Sequence, residues 1–176
     1  ENEAERLLEL DELQLLDTLP EAVYDDIARL ASVLCGTPMA TITLVDSNRQ
    51  WFKAKFGMDD SETPRSMSFC AHAILAPGAI FEVPDAAADP RFAAFPNVTG
   101  APHIRYYAGI PIVTETGAAL GTLCVIDQKP RTLDRSQREM LTVLARQVRA
   151  LFDLHRQRLV AQRERYRLEL ALDSAK

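Results

Sequence analysis

The chain has 176 residues, of which 47% are hydrophobic and 26% are charged, and its formal net charge is −5. This length and this balance are typical of one globular domain with room for additional helices. A protein that binds nucleic acid needs a basic stripe to neutralise phosphates. No such stripe precedes the C-terminal segment, which excludes nucleic acid as the main partner.

The three cysteines, Cys35, Cys70 and Cys124, are odd in number and widely spaced. Their spacing fits neither a zinc site nor the disulfide framework of a secreted protein, so we expect reduced thiols in a cytoplasmic protein. No apolar run approaches the roughly 18 residues of a membrane span, and no signal peptide opens the chain. Because the first residue is Glu1 rather than Met, we expect a fragment of a longer protein.

The first predicted elements are two helices. Leucines interleaved with acidic residues predict an amphipathic helix that ends near Asp17 and Thr18, because Pro20 disfavours helical geometry in the residue before it. A second helix is predicted over residues 21–35, with Gly36 ending it. We expect the apolar side of this second helix to face the core. That side carries Val23, Ile27, Leu30, Ala31 and Leu34.

A hairpin and a short helix follow. Alternating β-branched residues predict a strand over residues 39–45, and residues 50–56 return as its hairpin partner. Residues 57–64 are predicted to be a polar loop. Ser68 is the candidate N-cap of a short helix within residues 66–75.

The second half of the sheet surrounds an irregular stretch. A short strand is predicted over residues 80–83, and the proline-rich stretch after it is long for a compact domain, which favours a functional loop. Residues 104–114 and 118–127 then predict a second hairpin. Helices at both ends and antiparallel hairpins between them predict the α+β fold class.

From about Asp134 the sequence is helical almost to its end. A heptad-like seam runs through Leu141, Leu144, Val148, Leu151 and His155. At about 1.5 Å per residue, a helix of about 35 residues is longer than such a domain is wide. Because its arginine-rich distal part has nothing in its own domain to pack on, we expect a homodimer in which the terminal helices bundle.

Four segments resemble the GAF domains of bacterial sensor histidine kinases and diguanylate cyclases. They are LLDTLPEAVYDDIARLASVLCGTPMATITLVDSNRQWFKAKFG, SFCAHAIL, VPDAAADPRFAAFPNVTGAPHIRYYAGIPI and GAALGTLCVIDQKPRTL. The resemblance runs without an obvious gap over about residues 13–152. It implies a GAF-like fold: a central six-stranded antiparallel sheet with flanking helices, between long N- and C-terminal helices. It also implies a ligand pocket on the sheet face opposite the helices, roofed by the irregular loop and the SFCAHAIL helix.

We expect the chain to be organised in three parts. Residues 1–18 form an N-terminal helix, residues 19–152 the GAF-like sensory domain, and residues 153–176 a signalling helix that leads to a downstream output domain. The last residues, ERYRLELALDSA, resemble the entry into a PAS-type domain. Such an arrangement is typical of two-component and related signalling proteins.

Eight residues are candidates for ligand binding. They are Cys70, His72, Asp85, Arg91, Phe92, His103, Arg105 and Tyr107. A Cys–His pair can supply an activated thiolate or bind metal or haem, but positions i and i+2 of a helix point about 200° apart. His72 can instead hold the roof helix through a hydrogen bond to a carbonyl or carboxylate. Cys124 lies in a strand that looks buried and is predicted to be inert.

Structural roles compete with ligand binding in the irregular loop. Asp85, Asp89 and Arg91 can shape it through carboxylate-to-backbone bonds and an ion pair. Asp-Pro-Arg also matches a cap followed by a helix-start proline. Phe92 is both a candidate pocket residue and, with Tyr107 or Trp51, a candidate for filling the pocket from within.

The phrase HIRYYAG holds His103, Arg105, Tyr106 and Tyr107. On a strand, Arg105 and Tyr107 share one face, while Tyr106 and Ile104 share the other. If the first face looks into the pocket, Arg105 suits an anionic or carbonyl-bearing ligand and Tyr107 forms a wall with a polar tip. Arg105 can equally pair with Asp85 or Asp127.

Motifs for catalysis are missing from the sequence. It holds no glycine-rich phosphate loop, no nucleophile elbow and no His-Glu-x-x-His zinc motif. The signature of GAF relatives that bind cyclic nucleotides is not found in order, and the three cysteines do not reproduce the set of relatives that reduce free methionine sulfoxide. Attachment of a bilin would leave Cys70 as the sole candidate thiol. The identities of the ligand and of any cofactor stay open.

Three functional hypotheses follow. The leading one is a non-catalytic sensory and dimerisation domain that relays a small-ligand or partner signal through its terminal helices to an output domain. The second is a structural dimerisation module without a ligand. The third is an enzyme or redox sensor that uses the Cys70 thiol.

Overall fold

The computed structural model of the protein describes residues 2–175. Its strands are β1 (Met39–Val45), β2 (Arg49–Phe56), β3 (Glu62–Pro64), β4 (Phe81–Val83), β5 (Tyr106–Val113) and β6 (Ala119–Asp127). Its helices are α1 (Glu3–Leu13), α2 (Ala22–Cys35), α3 (Phe69–Ala73), α4 (Pro96–Thr99) and α5 (Arg135–Ser174), with a 3₁₀ turn at Arg65–Met67.

The strands form a six-stranded sheet in the order β3-β2-β1-β6-β5-β4. Every neighbouring pair in this order is antiparallel. The α+β fold class, the six-stranded antiparallel sheet and the flanking helices are thereby confirmed.

The two faces of the sheet support two separate cores. On β1, Ala40, Ile42 and Leu44 belong to the core under α1, α2 and α5. The residues between them point to the other face, because side chains alternate along a strand. That second core gathers α3 and the irregular loop between β4 and β5 around residues such as Phe69 and Phe92.

Helix α1 is shorter than the sequence predicts. The side chain of Asn2 accepts a hydrogen bond from the amide of Ala4 and caps its start. The helix ends at Leu13, because Gln14 takes the left-handed conformation with φ 50°. The predicted end near Asp17 and Thr18 is wrong. Asp17 instead lies in a turn, where its carboxylate forms an ion pair with Arg49 of β2.

Helix α2 has the predicted extent but buries a different side. Gly36 ends it with φ 65°, as predicted. Its buried residues are Tyr24, Ala28, Ala31, Ser32 and Cys35. Of the predicted core side, Ala31 is buried and Ile27 is half-buried against the core, while Val23 and Leu30 are each 45% exposed. The prediction failed because α2 is apolar on two sides, and small alanines let the less bulky side approach the sheet.

A β-bulge in β2 places Lys53 in the helix-side core. The register shifts so that Phe52 pairs with Thr43 and Ala54 with Ile42, which leaves Lys53 as the extra residue. Its ammonium group donates to Thr18 Oγ1 and to the carbonyl of Leu19, each at 2.8 Å, and its side chain is fully buried. An ion pair with Glu21 at 2.6 Å completes its shell.

Several predicted boundaries on the loop side need correction. The polar loop before residue 65 contains the edge strand β3. The short helix spans only Phe69–Ala73, and its predicted cap is confirmed, since Ser68 Oγ accepts from the amide of Ala71 at 3.0 Å. The fifth strand begins at Tyr106 rather than at residue 104.

Helix α5 is the longest element. Asp134 and Gln137 form a reciprocal capping box at its start. Its buried residues lie in its first half and are Leu141, Leu144, Ala145, Val148 and Phe152. Residues 160–175 are exposed. Within residues 2–175, no helix combines the length and the apolarity that crossing a membrane requires.

Candidate functional site

A partly open cavity of ≈ 80 Å³ lies between the sheet and its roof of α3 and the irregular loop. Its position agrees with the pocket that the family resemblance implies. The lining residues are Thr41, Thr43, Gln50, Phe52, Met58, Asp60, Thr63, Met67, Phe69, Cys70, Asn97, Ala101, Pro102, Ile104, Tyr107, Cys124 and Ile126.

The floor of the cavity is polar because threonines occupy the sheet positions that face it. Thr41 and Thr43 of β1 share a hydrogen bond of 2.6 Å between their hydroxyls. Thr41 Oγ1 also lies 2.9 Å from Cys124 Sγ on the adjacent β6. On this face β1 and β6 therefore present hydroxyls and a thiol, whereas the opposite face of β1 presents Ala40, Ile42 and Leu44.

Polar groups of the sheet converge on the sulfur of Cys70, which reaches the floor from the roof helix α3. Tyr107 Oη and Thr122 Oγ1 each donate a hydrogen bond of 3.1 Å to it. Burial raises the pKa of the Cys70 thiol, but hydrogen bonds to its sulfur outweigh burial and lower the pKa to about 7. The donors are Cys124, Thr122, Tyr107 and Thr43. The site thus favours the thiolate of Cys70.

The neighbours of Cys70 are held in their neutral forms. Burial, followed by the negative charge of Cys70, raises the pKa of Tyr107 well above its ordinary value. Burial and the hydrogen bond to Cys70 likewise raise the pKa of Cys124. The cavity therefore contains one thiol suited to ionise beside one that keeps its proton.

Gln50 ties the roof to the sheet. Its Oε1 accepts from Ser68 Oγ at 2.6 Å, and its Nε2 donates to Thr63 Oγ1 at 2.7 Å. Ser68 at the same time caps α3. These bonds fix the start of α3, and with it Cys70, over the sheet.

Asn97 brings an unused acceptor to the wall of the cavity. Its Nδ2 donates to the carbonyl of Met67 at 3.3 Å, which joins α4 to the 3₁₀ turn. Its Oδ1 is buried, and no donor among the described residues reaches it. A buried acceptor without a partner is unfavourable by about 1–3 kcal/mol unless something else donates to it.

Aromatic rings fill the rest of the roof. The ring of Phe69 stacks on Phe92 at 4.5 Å and on Tyr107 at 5.2 Å. Phe95 meets Phe92 edge to face at 5.3 Å. This packing keeps the cavity small, well below the about 300–1,000 Å³ of sites for drug-sized ligands.

Two of the eight candidate ligand residues, Cys70 and Tyr107, line the cavity. His72 turns away from Cys70, as helix geometry predicts, and its ring meets Phe92 edge to face at 4.8 Å. Burial and the nearby guanidinium of Arg91 lower the pKa of His72, which favours the neutral imidazole. Phe92 lies behind Phe69 and is fully buried.

The acidic and basic residues of the irregular loop make their contacts within the loop itself. Asp85 Oδ1 accepts from the amide of Ala87 at 3.2 Å. Arg91 binds the carboxylate of Asp89 through Nε and Nη2, and its guanidinium lies 5.1 Å from the ring of Phe92. These contacts match the structural role considered for this loop, outside the cavity lining.

Arg105 is committed to the backbone. Its Nη1 donates to the carbonyls of Val98 and Ile104 at 2.9 and 3.0 Å. The pairing with Asp85 or Asp127 is wrong, and the predicted strand faces are wrong too, because Ile104 precedes the strand and lines the cavity with Tyr107. His103 is exposed in the loop with φ 59°.

Sequence reasoning missed most of the polar lining. Cys124, predicted to be inert, lines the cavity together with Cys70, and Thr41, Thr43 and Asn97 were not singled out. The threonines carry a detectable signal, since they alternate with Ala40, Ile42 and Leu44 in a strand that is buried on both faces. Asn97 carries none, because its burial depends on how the loop folds over the sheet.

No group of His, Cys, Asp and Glu in residues 2–175 is arranged to hold a metal ion. The charged side chain of the cavity lining in this range is that of Asp60, which is exposed at the mouth. Hydroxyls, amides and thiols otherwise provide the polar groups. The site can therefore offer hydrogen bonds and thiol chemistry to a small uncharged molecule.

Comparison with known proteins identifies relatives of the whole central region. The family profile described as GAF domain matches residues 19–151. A cyclic di-GMP phosphodiesterase of Pseudomonas aeruginosa is 48% identical over 131 residues, which are 74% of this chain and 22% of that protein. The chain thus spans about a fifth of the length of this curated relative.

Solved structures share the fold at low sequence identity. The GAF domain of an Acinetobacter phosphoenolpyruvate-protein phosphotransferase has a TM-score of 0.63 at 16% identity, covering 85% of this chain and 92% of that one. A domain of a two-component sensor histidine kinase protein from Sinorhizobium meliloti scores 0.61 at 18%, covering 83% and 99%. Free methionine-R-sulfoxide reductase from Neisseria meningitidis scores 0.62 at 21%, covering 88% and 90%. These likenesses show the fold alone.

Proposed function

Because this chain belongs to the GAF domain family, we propose that it is the sensory and dimerisation module of a cytoplasmic multidomain signalling protein, without catalysis of its own. The observation that best supports sensing is the buried Oδ1 of Asn97, an acceptor that no donor among the described residues reaches, in a residue that lines the cavity. A ligand that donates a hydrogen bond there would relieve an unfavourable burial.

The cavity limits the ligand to a small molecule without negative charge. Its ≈ 80 Å³ holds only a few non-hydrogen atoms, unless the roof moves. No arginine or lysine among the described residues lines it, so an anion would lose its hydration without gaining a counter-charge. Cyclic nucleotides and bilins are poor candidates for this closed form.

A route from the cavity to α5 passes through the adjacent tyrosine. Tyr106 precedes Tyr107 on β5, and its side chain lies on the opposite face of the sheet. Its Oη donates to Glu82 Oε2 at 2.8 Å. Glu82 Oε1 accepts from Arg138 of α5 at 2.7 Å. A shift of Tyr107 would therefore reach α5 through one strand and one ion pair.

Dimerisation is supported by apolar side chains that the helices leave in solvent. They are Leu8, Val23, Leu30, Val33, Leu34, Met140, Val143 and Leu154. They lie on α1, α2 and α5, the helices of one sheet face. A second copy that covers them would bring the two α5 helices together, as expected of a homodimer.

The output is proposed by analogy to the relatives. The phosphodiesterase that is 48% identical in this region acts on cyclic di-GMP. We therefore place turnover of cyclic di-GMP first among the controlled activities, with a histidine kinase second. Residues 153–176 would connect to that domain, which is also where a PAS-type domain would begin.

Ligand sensing is tested by screening small polar compounds for stabilisation of the purified protein in thermal unfolding. Hits are repeated on Asn97→Leu, and on Thr99→Ala, an exposed change in the same helix, as the control. Stabilisation that is lost in the first variant and kept in the second supports the proposal. Absence of any hit favours the alternative of a ligand-free dimerisation module, which the ring packing of Phe69, Phe92 and Tyr107 supports.

Dimerisation is tested by light scattering after size exclusion. Leu30→Glu introduces a charge on the proposed interface and is expected to yield a monomer. Leu75→Glu changes a side chain that is 74% exposed on the opposite side of the sheet, and should leave the dimer intact. A monomeric parent protein, or equal dimerisation of both variants, would contradict this part of the proposal.

A further inference from the structure

Cys70 and Cys124 meet inside the cavity although 53 residues separate them in the sequence. Cys70 comes from α3 in the roof and Cys124 from β6 in the floor, and both line the same space. Their exposed fractions are 3% and 1%. Cys70 Sγ accepts from Thr122 Oγ1 at 3.1 Å, and Cys124 Sγ lies 2.9 Å from Thr41 Oγ1, so both sulfurs contact the threonines of the cavity floor.

We propose that Cys70 and Cys124 are a peroxide-reactive pair that closes into a disulfide and locks the roof helix onto the sheet. Peroxide would then be the stimulus of the proposed sensory domain. The effect of the disulfide on signalling rests on that proposed function. The chemistry itself depends on the two thiols and their surroundings.

The hydrogen-bond donors around Cys70 assign the roles of the two sulfurs. Tyr107 and Thr122 donate to Cys70 at 3.1 Å, which stabilises negative charge on that sulfur. Cys124 keeps its proton, because burial and the adjacent Cys70 both disfavour its thiolate. Cys70 is therefore the attacking thiol and Cys124 the resolving one.

The cavity admits a small oxidant. Hydrogen peroxide is little larger than water, and a cavity of ≈ 80 Å³ has room for it beside the sulfurs. The mouth is formed by residues on the surface, Asp60 and Ala101 among them. Burial excludes larger disulfides such as oxidised glutathione, which makes the pair selective for peroxides.

The reaction balances with one peroxide. The Cys70 thiolate attacks an oxygen of hydrogen peroxide, an S–O bond forms, the O–O bond breaks, and the departing hydroxide takes up the proton that Cys70 released. Cys124 then attacks the sulfenic acid, the S–S bond forms, and the leaving hydroxide takes the proton of Cys124. Two thiols are oxidised to a disulfide, and the peroxide is reduced to two waters.

The consequence for the fold is a covalent link between roof and floor. The hydrogen bonds of Tyr107 and Thr122 to the Cys70 thiolate are lost when that sulfur is no longer charged. Tyr107 must then find a new partner in the closed space. Since Tyr107 follows Tyr106, which contacts Glu82, oxidation would act on the proposed route to α5.

The test is peptide mapping of the native protein after a small excess of hydrogen peroxide and alkylation of free thiols. We expect a Cys70–Cys124 linked peptide, while Cys35, in the other core, remains alkylated. Tyr107→Phe should slow the oxidation by roughly threefold to tenfold, as expected when the thiolate loses one donor. The wild-type rate should rise with pH and level off above about 7.

Two variants separate the roles of the sulfurs. Cys124→Ser should leave a Cys70 sulfenic acid, which dimedone captures when the oxidised protein is unfolded in its presence. Cys70→Ser should abolish oxidation, with folding checked by circular dichroism. Three free thiols in oxidised wild-type protein, or a link through Cys35, would overturn the proposal. If the disulfide forms but the dimer test fails, the thiol chemistry stands and the signalling function does not; the reverse outcome removes only the thiol pair.

Discussion

Gly109 sets how closely the ring of Tyr107 lies on the sheet. The two residues share a face of β5, and a Cβ at Gly109 would lie 2.7 Å from Cζ of Tyr107 and overlap its hydroxyl. Tyr107 is fully buried and donates to Cys70, so it has little freedom to move aside. The missing side chain therefore helps to position the phenol at the thiol.

Gly109→Ala is expected to lower the free energy of unfolding by about 1–3 kcal/mol, because overpacking forces a buried ring out of place. Urea denaturation measures this loss. Gly78→Ala is the matched control, since its Cβ would meet no atom within 4 Å, and we expect a change within about 0.5 kcal/mol. Equal stability of both variants would show that Tyr107 adjusts freely.

Lys53 supplies two hydrogen bonds inside the helix-side core. Lys53→Met keeps the apolar stem but leaves Thr18 Oγ1 and the Leu19 carbonyl without their donor, which should reduce stability by about 1–3 kcal/mol. Lys55→Met changes a less buried lysine of the same strand and should alter stability by less than about 0.5 kcal/mol. Chemical denaturation of the two variants side by side distinguishes these outcomes.

At the scale of the element, Glu3 fastens α1 to the rest of the domain. Its carboxylate pairs with Arg6 at 2.8 Å and with Arg65 at 2.7 Å, and Arg6 in turn donates to the carbonyl of Ala119. The hydrogen bond from Arg6, opposed by some desolvation and helped by Arg65, lowers the pKa of Glu3 to about 2.

This low pKa gives a pH dependence with a definite sign. A carboxyl whose pKa is lower in the folded state contributes stability above its ordinary value of 4.5, and that contribution is lost as pH falls towards about 2. Because Glu3 is half exposed, we expect the contribution to be about 0.5–1 kcal/mol. Glu3→Gln should therefore be less stable than wild type at pH 7 and nearly equal to it at pH 2.

Urea denaturation at both pH values measures the difference, with Glu5→Gln on the same helix as control. Glu5 is exposed and lies in the same first turn, so this variant should follow wild type at both pH values. A stability gap between Glu3→Gln and wild type that persisted at low pH would contradict the assignment.

The success of prediction also differs from element to element. Five of the six strands and α5 were predicted well, because alternation and helical periodicity are local signals, whereas the edge strand β3 was missed. For α2 the extent was predicted and the buried side was not, since Val23, Leu30 and Leu34 form as good an apolar stripe as the buried one. Which stripe meets the sheet is decided by the close approach that Ala28 and Ala31 allow, a tertiary property.

The same distinction applies to the site. Cys70 and Tyr107 stood out in the sequence by residue type, and both line the cavity. That Cys124 lines the same cavity as Cys70 follows from the register of β6 against β1 and from the docking of α3, neither of which the sequence displays. The placement of Arg105 outside the cavity depends on the strand beginning two residues later than predicted, at Tyr106.

At the scale of the whole molecule, α5 divides into a part that belongs to the domain and a part that does not. Leu141, Leu144 and Val148 are buried against the sheet, whereas residues 160–175 are exposed. The first residues of the heptad-like seam therefore pack into the core of their own chain. The distal half carries the apolar Val160, Leu168 and Leu172 into solvent, where only another chain or a following domain can cover them.

A chain that ends at Leu159 separates these two roles. We expect its unfolding free energy at low concentration to stay within about 0.5 kcal/mol of the parent value, because the removed residues contact no core. The proposed dimer of this shorter chain should dissociate at a concentration at least about tenfold higher, which analytical ultracentrifugation measures, since each lost 1.4 kcal/mol of association is about tenfold. Leu141→Ala is the opposite control, because it should lose about 2–5 kcal/mol of stability through a cavity in the core. Loss of folding in the shortened chain would mean that the distal helix stabilises the domain, and an unchanged dimer would restrict the interface to α1, α2 and the first half of α5.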